Sequence, residues 1–110
     1  MDSLEKLQKK QKDLLKGIEH PRLGNVIGLF EEVGELAKEI MEIEMYGESR
    51  KEELGDECAD ILFSLFSLCE SYNIDLEEVY AKKIGKISEK VPKWHEKYGK
   101  ILGDLREKLD

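Results

Sequence analysis

Apolar residues recur along this chain at intervals of three and four, and the strict alternation of a strand is almost absent. That rhythm marks amphipathic helices. Leu4, Leu7, Leu14, Leu15 and Ile18 share one face of a first helix over residues 3–18, which Gly17, His20-Pro21 and Gly24 bring to an end. A second helix runs from Val26 to Met45 on a stripe of Leu29, Val33, Leu36, Ile40 and Ile43, and Tyr46-Gly47-Glu48-Ser49 stops it. The third runs from Arg50 to Tyr72, with Leu54, Cys58, Ile61, Leu65, Leu68 and Tyr72 turned inward. Asp75, with Glu78 three residues on, reads as the N-cap of a fourth helix reaching Lys90. Pro92 interrupts it, and residues 93–109 form a weaker helical tail. Long helices on short connections pack as antiparallel neighbours. The predicted fold is therefore all-α: an antiparallel bundle of four main helices plus a C-terminal helical tail.

A chain of 110 residues with two prolines, no internal repeat and no linker-like stretch reads as one domain over residues 1–110. The net charge of −7 argues against a nucleic-acid groove, which needs a basic footprint. The charge is uneven, however. Residues 31–60 are strongly acidic, whereas Lys82, Lys83, Lys86, Lys90, Lys93, Lys97 and Lys100 make the C-terminal third locally basic. A small anion held between a metal on the acidic part and lysines on the basic part fits that split. The longest nearly apolar run, ILFSLFSLC at 61–69, is too short to cross a bilayer. The start, MDSLEKLQKKQ, is polar and unlike an export signal, so the expected compartment is the cytoplasm, with no membrane partner.

The acids carry the chemistry. At about 100° per residue, Glu32 and Glu35 lie on one flank of the second helix's apolar stripe, while Glu31 falls with Lys38 on the solvent side. Glu57 and Asp60 lie on the flank of the third helix, offset in the same rotational sense, and Asp56 points farther out. In an antiparallel hairpin, equal offsets meet on one side. Glu32 with Asp60 and Glu35 with Glu57 have the same sum of residue numbers, which sets both pairs level about a turn at Tyr46-Gly47. The expectation is a square of four carboxylates, with Ser64, Ser67 and Ser71 continuing the flank and leaving room for a ligand. Such a square protonates or holds a cation. Mg²⁺, with Mn²⁺ as a substitute, suits an all-oxygen site that keeps positions open for water and phosphate. Solvated glutamates are the plain alternative, since helix surfaces are commonly rich in charge.

EEVGEL (31–36), ELGDECAD (53–60) and NIDLEEVYAKK (73–83) together resemble the MazG-type members of the all-α nucleoside triphosphate pyrophosphohydrolases, whose signature is E-x-x-E on one helix and E-x-x-D on the next. The resemblance covers about residues 20–92. It implies Mg²⁺-dependent hydrolysis of (d)NTPs between the α and β phosphates, giving a nucleoside monophosphate and pyrophosphate. It gives metal-ligand roles to Glu32, Glu35, Glu57 and Asp60, with Glu32 and Glu35 as the catalytic pair. Glu53 and Asp56 form a second, lower-ranked E-x-x-D. It also implies a homodimer or homotetramer whose sites are completed across the assembly. Lys83 stands where relatives place a phosphate-contacting lysine, and His20 and Arg22 where some carry nucleotide-proximal residues. Ile87 and Ser64 depart from a family asparagine and an aromatic, which leaves base preference open.

Other chemistry finds less support. Cys58 and Cys69 lie about 16 Å apart along one helix, too far for a disulfide, and read as packed thiols. His20 and His95 lack zinc-ligand spacing. Two rivals remain: a non-enzymatic helical assembly module with a solvated acidic flank, and the same fold acting on another nucleotide such as phosphoribosyl-ATP.

Overall fold

The structure, a computed structural model, describes residues 2–110. Four helices follow in order: α1 (Leu4–Leu14), α2 (Arg22–Tyr46), α3 (Lys51–Ser71) and α4 (Leu76–Leu109). Among the described residues there is no strand. The chain divides into two units, one running to Leu76 and carrying α1, α2 and α3, the other spanning Glu77–Asp110.

Each helix of the first unit has a local reason to begin or end. The Ser3 hydroxyl accepts the Lys6 N–H at 3.2 Å and caps α1. α2 closes on Gly47, whose φ of 68° is the left-handed conformation that glycine adopts without a Cβ clash. Glu52 and Glu53 fill the first turn of α3, where the helix dipole favours negative charge. Asn73, at φ 56°, turns the chain after α3.

α2 and α3 form the central pair. As α2 advances its partners on α3 retreat: Asn25 donates to the Ser67 carbonyl, Glu32 meets Asp60, and Glu39 meets Arg50. α1 lies on α3 through side-chain amides. Gln8 is the most buried residue of α1; its Nε2 donates to Glu70 Oε2 at 3.0 Å and to the Ile74 carbonyl at 2.8 Å, while its Oε1 accepts the Leu76 N–H at 3.1 Å. Gln11 Nε2 donates to the Phe63 carbonyl at 2.8 Å and to Ser67 Oγ at 2.9 Å. Lys12 pairs with Glu70 at 3.2 Å.

The packed faces are rotated from the predicted stripes. On α1 the inward row is Leu4, Gln8, Gln11 and Leu15, whereas Leu7 and Leu14, with Ile18 just beyond the helix, are exposed. On α3 Phe66 and Cys69 are the buried apolar residues, while Cys58 and Tyr72, expected inward, are exposed. The cause is coverage. α1 lies over the Phe63–Ser67–Glu70 side of α3, so burial shifts toward that side and Cys58 is left uncovered. Val33 and Ile40 of the α2 stripe likewise remain exposed.

In the second unit, Pro92 does not interrupt the helix. Proline removes the N–H that would bond the Ser88 carbonyl, but the helix hydrogen bonds on either side carry α4 through to Leu109, and the expected separate tail is its second half.

Candidate functional site

Helical spacing brings carboxylates from α2 and α3 together. Glu32, Glu57 and Asp60 each offer an oxygen, and the three oxygens lie within 4.8 Å of one another. Glu32 and Glu57 are half-buried and Asp60 is exposed. The Glu57 Oε2 is shut off from solvent and has no hydrogen-bond donor. Burial pushes the Glu57 carboxyl above the usual glutamate range; contact with the Glu32 carboxyl and the charges of Glu32, Asp60 and Glu35 push it further. A buried carboxylate oxygen without a donor, facing two more carboxylates, is an electrostatic deficit that a cation removes. Oxygen-only donors match a hard divalent ion.

The expected square of four is therefore three plus one. Glu35 is exposed and stands outside the cluster of converging oxygens, although its charge is still felt at Glu57. Spacing is not the reason, because the same three-residue step separates Glu57 and Asp60, which do converge; Glu35 differs in lying at an exposed position, whereas Glu32 is half-buried. Glu53 and Asp56 are both exposed and take no part.

Beside the acids lies a cavity of about 610 Å³ within the first unit, lined by α1, α2, α3 and the α1–α2 connection. Glu32 and Asp60 form part of its wall, so the carboxylate cluster opens onto it. Gly24 and Gly28 on one side and Ser64, Ser67 and Ser71 on the other keep it open, as the small-residue flank predicted. A cavity of that volume is of small-molecule size. Its amides, Gln11 and Asn25, are held in place by their hydrogen bonds to α3.

The remaining candidates separate. His20 lines the cavity. Arg22 opens α2 and stacks over the Tyr72 ring, 5.2 Å from its centroid. Lys83 is an exposed residue of α4, in the second unit. Gln8 and Gln11 are polar, so an apolar stripe does not mark them as inward residues. Their spacing from Leu4 and Leu15 on one face was the available signal.

No helix among the described residues is long and apolar enough to cross a membrane. Residues 22–95 match the family described as MazG nucleotide pyrophosphohydrolase domain. No curated protein and no solved structure matches the chain.

Proposed function

The chain belongs to the MazG nucleotide pyrophosphohydrolase family, and we propose from that premise that it hydrolyses nucleoside triphosphates at the α–β bridge, releasing a nucleoside monophosphate and pyrophosphate. The observation that carries this reading is the juxtaposition of the Glu32–Glu57–Asp60 cluster with a cavity large enough for a nucleoside. In this reading Glu32, Glu57 and Asp60 hold a divalent ion, Mg²⁺ or Mn²⁺. When bound, that ion supplies a Lewis acid at the phosphate oxygens and the attacking water. Glu35, exposed and outside the cluster, orients that water and takes its proton. Pyrophosphate leaves with the bridging oxygen as the new phosphorus–oxygen bond forms. His20 and the fixed amides of Gln11 and Asn25 face the nucleoside, and the chain acts as a homodimer or homotetramer in the cytoplasm, as an antiparallel helical bundle.

A panel of (d)NTPs and phosphoribosyl-ATP, incubated with and without Mg²⁺ and followed by product identification, tests this. Metal-dependent pyrophosphate and monophosphate are expected from at least one nucleoside triphosphate. A folded protein inert toward every nucleotide would leave the acids as a solvated flank of an assembly module.

A further inference from the structure

The cavity has three levels along the α2–α3 hairpin. Glu32 with Asp60, Gly28 with Ser64 and Asn25 with Ser67 share one sum of residue numbers, and all six residues line the cavity. Asn25 and Ser67 therefore stand close to two helical turns from the acids, on nearly the same side of each helix and about 10 Å along its axis. The bond from Asn25 Nδ2 to the Ser67 carbonyl, at 3.4 Å, marks that far level. Gln11 joins it from α1, through its bond to Ser67 Oγ. With the phosphates of a nucleotide at the acids, the small pair Gly28 and Ser64 lies beside the sugar, and the base reaches the amides of Asn25 and Gln11.

Gln11 is the group whose polarity is fixed. The Phe63 carbonyl only accepts, so the Gln11 atom 2.8 Å from it is the nitrogen, and that nitrogen gives its other hydrogen to Ser67 Oγ at 2.9 Å. Both amide hydrogens are thus spent on α3. Oε1 is left for the cavity, with no donor among the described residues, and it can only accept. The other polar groups of the wall adapt. Asn25 keeps one hydrogen and its oxygen, the hydroxyls of Ser64 and Ser67 rotate, and His20 offers either kind of ring nitrogen. Lys12, which could have served an oxo group, is held by Glu70 at 3.2 Å. We propose, on the pyrophosphohydrolase reading above, that Gln11 Oε1 accepts from an exocyclic amino group and selects nucleotides of amino-bearing bases, cytosine and adenine, over their oxo counterparts, uracil and hypoxanthine. An oxo base turns its own lone pairs toward Oε1 and leaves that acceptor unmatched, and a site built around such a group rejects the wrong edge.

Paired nucleotides that differ in this one exchange test it, with the full chain and Mg²⁺. The native chain should favour CTP over UTP and ATP over ITP by about tenfold or more in kcat/KM, in the ribose and the deoxyribose series alike. Cytidine monophosphate should raise the melting temperature more than uridine monophosphate does. Gln11→Met, which removes the acceptor, should bring both ratios to within about threefold. Gln11→Glu, which gives up the amide bonds to α3 but keeps an acceptor, should retain the preference, so a loosened pocket is told apart from a lost acceptor; if Gln11→Met does not fold, this variant decides. Equal turnover within both pairs by the native chain would overturn the proposal and leave pyrophosphohydrolysis standing. A preference that survives Gln11→Met, or one that disappears in Gln11→Glu, would also overturn it. Inertness toward every nucleotide would defeat the hydrolytic reading instead, and the monophosphate melting shifts would then decide the base preference, equal shifts overturning it.

Discussion

Arg50 grips Glu39 through both carboxylate oxygens, Nε to Oε2 at 2.6 Å and Nη2 to Oε1 at 3.1 Å, across the connection between α2 and α3. The planar fork of the guanidinium matches the carboxylate. The pair clamps one end of the hairpin whose other half carries the acid cluster. It also neutralises Glu39, which continues the helical flank of Glu32 and Glu35.

That clamp sets a pH dependence. The Arg50 hydrogen bonds hold the Glu39 carboxyl below the usual glutamate range, against the opposing effect of burial. A folded-state value below the unfolded one gives stability that is complete above the ordinary glutamate pKa of about 4.3 and is lost as pH falls through the lower folded value. Urea midpoints measured across that acid window should decline more steeply for the native chain than for Glu39→Gln. At neutral pH Arg50→Ala should lower the midpoint more than Arg50→Ala combined with Glu39→Gln does, because the single change leaves a shielded carboxylate without its partner.

Glu57 has the opposite sign. Its carboxyl is raised by burial and by neighbouring acids, so its ionised form weakens the metal-free fold. Glu57→Gln should melt at a higher temperature than the native chain without divalent ions and should lose the rise that Mg²⁺ gives the native chain. Calorimetry with Mg²⁺ and with EDTA checks both halves.

Glu35→Gln and Asp60→Asn should separate two duties. Asp60 belongs to the converging oxygens and Glu35 does not. Asp60→Asn should weaken the Mg²⁺-dependent melting shift. Glu35→Gln should keep most of it and still lower pyrophosphate release by about 100-fold or more, the range a positioned general base contributes. Unchanged helicity by circular dichroism must accompany both results.

Gly28 offers a probe of the cavity. A Cβ at this helical glycine meets nothing within 4 Å, although the residue lines the cavity wall. Gly28→Ala should therefore stabilise the fold by about 0.5–1 kcal/mol. Gly28→Leu should fill part of the cavity, raising KM by about tenfold with little change in kcat, while the response of melting temperature to Mg²⁺ persists.

Gln8 serves as a three-way joint, bonded to Glu70, the Ile74 carbonyl and the Leu76 N–H. Gln8→Ala strands these groups at a buried position, and an unmatched buried polar group costs about 1–3 kcal/mol. Denaturant unfolding should show that loss. Lys12→Ala, which removes an exposed partner of Glu70, should change stability by about 1 kcal/mol or less.

The helical period exposed the order of elements, the turn at Gly47 and the level at which the acids of α2 and α3 meet, because each follows from local backbone geometry and a short connection. The period could not say which side of a helix would be covered. Gln8 became the buried residue of α1 and Cys58 an exposed one on α3 because α1 settled over Ser67 and Glu70 and not over the Leu65 stripe. Pro92 illustrates the same limit: a missing hydrogen bond is visible in the letters, but whether the helix survives it depends on the bonds on either side.

Residue spacing alone thus determined that Glu32, Glu57 and Asp60 could share a site. Only tertiary packing decided that Glu35 stands apart, that Glu57 keeps an oxygen with no donor, and that a cavity opens beside them. Spacing fixes an angle around a helix axis. Distance and burial belong to the neighbours that pack against it.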